Sequence, residues 1–229
     1  MTASCDERRI PRASILARWI KRGNPNVAPN RRDRSKTRLE CWVLSRFLVS
    51  ELASELMPDH VFLRKSESPD FIIHSHDTTF GIEVSEIIHE VTAIARLESD
   101  RQCLDIAFAV NPDDFPTRAS RRNIGIALRD PESGGFSGES PERQFAEITE
   151  SVIHNKIVRS KKYICTDQRL LLLYNNTGLP LDSNIMERGG YNHRILNAAI
   201  SARCSFAAVL IYSGGQWFKD TLSPQNKTG

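Results

Sequence analysis

Three features of this 229-residue chain predict an α/β domain behind a basic N-terminal arm. Residues 67–87, ESPDFIIHSHDTTFGIEVSEI, hold two alternating apolar runs, Phe71 to His74 and Thr79 to Val84, about a polar centre at His76-Asp77, the pattern of a β-hairpin. Arg169 to Tyr174 and Phe206 to Tyr212 are apolar without alternation, as strands covered on both faces are. Long stretches with helical spacing precede, separate and connect these strands.

The length suits one domain with a substantial core. No apolar run approaches the roughly 18 residues that a membrane span requires, and MTASCDERRIPRAS lacks the apolar centre of a secretory signal. The five cysteines are scattered and none forms a CxxC pair, which argues against a disulfide framework or structural zinc and for a cytoplasmic location. The net charge of +3 conceals an asymmetry, because residues 1–38 carry eleven Lys or Arg against three acids and leave the remainder acidic. Such an end suits a polyanion, with Arg31, Arg32, Arg34 and Lys36 as candidate phosphate contacts, or else is a solvated basic tail.

Taken in order, residues 1–34 form the arm, with a short amphipathic helix at 12–22 and a Gly/Pro/Asn linker after it. A helix is expected from Ser35, its N-cap, to Leu56, ending near Pro58, with Leu39, Trp42, Val43, Phe47 and Leu48 along the sheet. Glu40 lies beside that stripe, where acids of a first helical turn are commonly solvated. HVFLRK, residues 60–65, is a first strand. A helix is expected from Glu86 to about Leu104, then an insertion at about 105–140 with a short strand at Ile124 to Leu128. In it Arg121 and Arg122 either touch nucleic acid or decorate a surface loop. Ser140-Pro141 opens a helix to about Tyr163, and residues 192–203 make another.

Within the hairpin, a turn at His76-Asp77 sets Asp70 opposite Glu83 on one face, with Cβ atoms roughly 5 Å apart. Two like charges so placed need compensation, which a hard divalent cation would supply. Pro69 suits the start of a strand, where no ladder donor is lost. Ser85, two residues beyond Glu83, faces the same side. Lys156 falls on the apolar stripe of Phe145, Ile148 and Val152, so it either snorkels outward or is held inward against negative charge. His74 and His76 read as a polar turn, and His193 as part of an exposed first helical turn.

Pro69-Asp70, a twelve-residue gap and Glu83-Val84-Ser85 resemble the PD-(D/E)xK nuclease superfamily, in a divergent form with Ser85 where the motif lysine belongs. The resemblance implies an αβββαβ restriction endonuclease-like core from about Ser35 to Phe218, with a central mixed sheet flanked by helices. It implies Mg²⁺, or Mn²⁺ in its place, held by Asp70, Glu83 and the Val84 carbonyl. Glu40 on the first helix would join that site, as in several branches of the superfamily. Lys156 looks like the relocated catalytic lysine, with Ser85 orienting water or phosphate. The activity implied is phosphodiester hydrolysis with nucleic acid, DNA by expectation, as partner, no membrane, and a homodimer left open. An inactive nuclease-like binding module and a protein-interaction domain are the other two readings.

Overall fold

The computed structural model describes residues 10–11, 35–57, 60–75, 77–102, 120–127, 136, 138–179, 181, 192–202 and 205–219. The amphipathic helix at 12–22, Arg31, Arg32, Arg34, His76, most of the insertion at 105–140 and the side chain of His193 lie outside these residues. In chain order the elements are β1 (Ile10–Pro11), α1 (Lys36–Leu48), α2 (Glu51–Leu56), β2 (His60–Lys65), β3 (Phe71–His74) and β4 (Thr79–Ile87). There follow α3 (Glu90–Gln102), α4 (Arg121–Ala127), α5 (Ser140–Ser160), β5 (Gln168–Asn175), α6 (Asn192–Ser201), β6 (Ala208–Ser213) and β7 (Gln216–Lys219).

The fold is α/β, with an open mixed sheet in the order β1-β2-β3-β4-β5-β6-β7. β2, β3 and β4 are antiparallel neighbours, β5 and β6 run parallel, and β7 returns antiparallel to β6. Packing divides the chain into two units, Met1–Ser85 with Ile153–Tyr174 and Ala198–Gly229, and Glu86–Val152 with Asn175–Asn197.

In the first unit one sheet face presents Phe71, Ile73, Phe80, Ile82, Leu170, Leu172 and Leu210 to Val43, Leu44, Phe47 and Leu48 of α1. Removing each such side chain from water favours folding by about 1.5–3 kcal/mol. By strand alternation Ile72, Glu83, Leu171, Leu173 and Ile211 take the opposite face. All of these are buried as well, so the unbroken apolar runs are strands covered twice. Trp42, Tyr174, Tyr212 and Trp217 close one end as edge-on and tilted ring pairs.

In the second unit Val91 and Ala95 of α3 pack on Ile124 of α4, and Arg194 of α6 pairs with Glu147 and Glu150 of α5. Asn176 holds the end of β4 through the Ile87 carbonyl and the Glu86 carboxylate.

Three expected elements differ. The single helix from Ser35 to Leu56 is two helices, because Ser50 takes an extended backbone, accepts from Ala53 N–H at 3.3 Å and so caps a second start. Ser35 is the N-cap of α1, accepting from Arg38 N–H at 3.2 Å. Glu86 and Ile87 belong to β4, and α3 begins only at Glu90, where the His89 ring accepts from Val91 N–H at 3.2 Å. The strand expected at Ile124 to Leu128 is helix α4 over its described part. There Ser120 accepts from the N–H groups of Asn123 and Ile124, and Ile124 is buried while Ile126 is exposed. An Ile-Gly-Ile alternation is too short to tell a strand from one helical turn.

Candidate active site

The site begins with strand register. β3 and β4 pair from Phe71 with Ile82 to His74 with Thr79, the pairing that a turn at His76-Asp77 predicts. One step further along the same register lie Asp70 and Glu83, 3% and 5% exposed. Val84 N–H donates to Asp70 Oδ2 at 2.8 Å, tying the carboxylate across the strand pair.

The turn carrying Pro69 and Asp70 is clasped from the segment after α5. Ile164 N–H donates to the Ser68 carbonyl at 3.2 Å, and Asp167 Oδ2 accepts from Thr79 N–H at 2.7 Å. Gly81 lies under this clasp, where a Cβ would come within 2.9 Å of both Pro69 Cγ and Thr166 Oγ1. Glycine is needed there for close approach of the two segments. The same clasp brings the last turns of α5 to the carboxylates.

Lys156 reaches inward from α5. Its Nζ lies 2.5 Å from Glu83 Oε1 and 3.4 Å from the Val84 carbonyl oxygen, with its side chain 14% exposed. Of the two readings of a lysine on an apolar stripe, the inward one is the structure's. Tyr163, seven residues further on, has a buried hydroxyl beside the Glu83 carboxylate. Burial, and after it the charge of Glu83, pushes this phenol above its usual range, so it stays protonated.

Glu40 is buried, contrary to the solvated-face reading, and its partners are lysines. Lys65 Nζ lies 2.5 Å from its Oε2, and Lys36 Nζ lies 3.3 Å from its Oε1. Burial opposes the charge on Glu40, but the hydrogen bond and charge of Lys65, with Lys36 behind it, hold its pKa below the usual value. Lys36 and Lys65 also stand 3.9 and 4.0 Å from Asp70 Oδ1. Burial works against the charge on Lys36, yet Glu40 and Asp70 outweigh it and raise its pKa.

Asp70 is different. Burial and then the charge of Glu83 push its pKa up to about 6, against the hydrogen bond from Val84 N–H. Three carboxylates and three lysines thus share one corner, with Asp70 the least compensated anion.

The corner brings together Asp70, Glu83, Val84, Glu40, Lys36 and Lys156, with half-buried Ser85 two residues along β4 from Glu83. Arg121 and Arg122 are exposed on α4, in the other unit. Lys65 and Tyr163 are members that sequence reasoning missed. The β2–β3 register, which pairs Lys65 with Phe71 beside Asp70, is the signal that would have found the lysine. For Tyr163 the only hint is its seven-residue spacing from Lys156.

As a metal site the corner offers oxygen ligands of the kind hard cations take, two carboxylates and the Val84 carbonyl. Glu83 Oε2 is buried and meets no ammonium among the described residues, with the Tyr163 hydroxyl beside the carboxylate, so it is an oxygen open to a further ligand. No group of three or more His, Cys, Asp or Glu is arranged to hold a metal among the described residues, and the Glu40 carboxylate is paired with Lys65 and Lys36. Cys41 and Cys165 form no disulfide among the described residues, and no helix of the described residues is long and apolar enough to cross a membrane.

No protein-family model matches the chain, and neither a curated protein nor a solved structure matches it significantly.

Proposed function

We propose that the chain is a metal-dependent nuclease hydrolysing phosphodiester bonds, with DNA the expected substrate, on a divergent restriction endonuclease-like core. The observation that carries this reading is the contact of Lys156 Nζ with Glu83 Oε1 at 2.5 Å, beside the buried Asp70. An ammonium beside Glu83 would serve the role that the PD-(D/E)xK pattern gives its lysine and that Ser85 cannot fill. The succession of α1, β2, β3, β4, the α5 region, β5, α6 and β6 supports the αβββαβ core.

Asp70, Glu83 and the Val84 carbonyl would hold Mg²⁺ or Mn²⁺. When bound, such an ion lowers the pKa of a water and offsets charge developing on the phosphate. The protein's own residues do the rest. Lys156, fixed by Glu83, would hold the attacking water at Nζ and donate to the phosphoryl oxygens, a fixed cation aimed where negative charge grows. Ser85 would offer a hydroxyl on the same side of the strand. Tyr163, kept protonated, would remain a donor next to Glu83.

A second reading, a nuclease-like fold that binds nucleic acid without cutting it, is favoured by one observation: Glu40 and Glu83 each already have an ammonium within 2.5 Å. Metal-dependent cleavage of plasmid, abolished by EDTA and by Asp70→Ala, supports the first reading. Salt-sensitive DNA binding with no cleavage in Mg²⁺ or Mn²⁺ supports the second.

A further inference from the structure

We infer that Lys65, with Lys36 beside it, forms a binding site for a non-scissile phosphate of the nucleic acid, adjacent to the carboxylate pair. The inference rests on the phosphodiester reading above and adds a subsite to it. Lys65 ends β2, and its ammonium is confined on three sides. Glu40 Oε2 lies at 2.5 Å, Asp70 Oδ1 at 4.0 Å, and the Phe71 ring centroid at 4.3 Å beneath it. The side chain is still 41% exposed, so the fourth side opens to solvent. An ammonium has three donors, and among the described residues Lys65 uses one in a hydrogen bond, to Glu40. An N–H group not used by Glu40 therefore remains for an acceptor on the open side.

Glu40 explains the fixity. Burying a carboxylate is expensive unless it is paired, so Glu40 keeps Lys65 in place, and a lysine held in advance loses less side-chain freedom on meeting its ligand. Lys36 contributes from the first turn of α1 with its side chain 83% exposed, free to swing from Glu40 toward a ligand. That first turn contains no acid, although a helix start favours anions over cations. A lysine at this position is unfavourable for the helix alone and favourable for an anion brought to it. Lys156 meets the carboxylate pair at Glu83, while Lys65 and Lys36 meet it at Asp70. A strand laid over Asp70 and Glu83 would thus set one phosphate at Lys156 and a neighbouring phosphate at Lys65 and Lys36.

The test is equilibrium binding of a short DNA duplex in EDTA across a salt series, with the full chain and no cleavage. Lys65→Met and the double variant Glu40→Gln/Lys65→Met should each lower the slope of log K against log salt by about 0.9, the value for one phosphate contact. Lys65→Arg should keep it. The double variant removes both charges, so it guards against unfolding caused by an unpaired Glu40. An unchanged slope in the folded double variant, or wild-type binding that ignores salt, overturns the subsite. The two proposals fail separately. A wild type that never cleaves but loses slope on Lys65→Met keeps the phosphate site and loses the nuclease; a wild type that cleaves with unchanged slope does the reverse.

Discussion

Lys156 and Glu83 meet at 2.5 Å although 73 residues separate them, one on helix α5 and one on strand β4. On the nuclease reading proposed above, Lys156 on α5 would stand in for the lysine absent at Ser85. If Lys156 is its functional substitute, Lys156→Met should lower cleavage about 10²–10³-fold, the usual effect of removing one preorganised electrostatic group. It should also destabilise the fold by about 3 kcal/mol, since it strands a buried carboxylate. Adding Ser85→Lys to Lys156→Met should restore at least about ten-fold of the lost rate, because position 85 faces the same side as Glu83. Steady-state cleavage rates and urea unfolding read the two effects separately.

Asp70 should subtract from stability at neutral pH. Its folded pKa is raised to about 6 from the ordinary 3.8, so the folded state holds the proton more tightly than the unfolded state. Stability linked to this group is full below pH 3.8 and is lost as pH rises through about 6, by roughly 3 kcal/mol. Asp70→Asn should then raise the unfolding midpoint at pH 7.5 in EDTA, with the gain shrinking toward pH 4. Thermal unfolding across that range checks it, and an Asn variant less stable than wild type at pH 7.5 would contradict the assignment.

Mg²⁺ or Mn²⁺ should raise the wild-type midpoint in proportion to RT ln(1 + [metal]/Kd) and leave Asp70→Asn and Glu83→Gln unmoved. Thermal shift with increasing metal reads this directly. Equal shifts in all three proteins would place the metal elsewhere.

Gly81→Ala should damage the site without touching a charged group. The added methyl would come within 2.9 Å of Pro69 Cγ and Thr166 Oγ1, and relief of that overlap must shift the turn bearing Asp70 or the clasp from Thr166. About 1–3 kcal/mol of stability and a reduced cleavage rate are expected, read by unfolding and activity on the same sample.

Much of the corner was legible because its cause is local. A polar turn between two alternating runs sets the hairpin register, and the register sets Asp70 against Glu83. Lys156 announced itself as a charge on an apolar stripe. Ser35 and the unbroken RLLLLY run were equally plain. Other features depended on tertiary context. Glu40 reads as an ordinary acid of a first helical turn until Lys65 arrives from β2 to make its burial tolerable. Ser50 is a good N-cap but looks helical within a longer apolar pattern, so the break between α1 and α2 was missed. Ile124-Gly125-Ile126 alternates like a strand, and only the packing of Ile124 on Val91 and Ala95 shows why it is helical.

The most direct measurement of the central claim is cleavage of supercoiled plasmid and of single-stranded DNA with Mg²⁺, Mn²⁺ or EDTA, comparing wild type, Asp70→Ala and Lys156→Ala. Metal-dependent cutting by the wild type, lost in Asp70→Ala and in Lys156→Ala, is the predicted result. Full cutting by Lys156→Ala would contradict the relocated lysine, and a folded wild type that cuts neither substrate under any metal would contradict the nuclease itself.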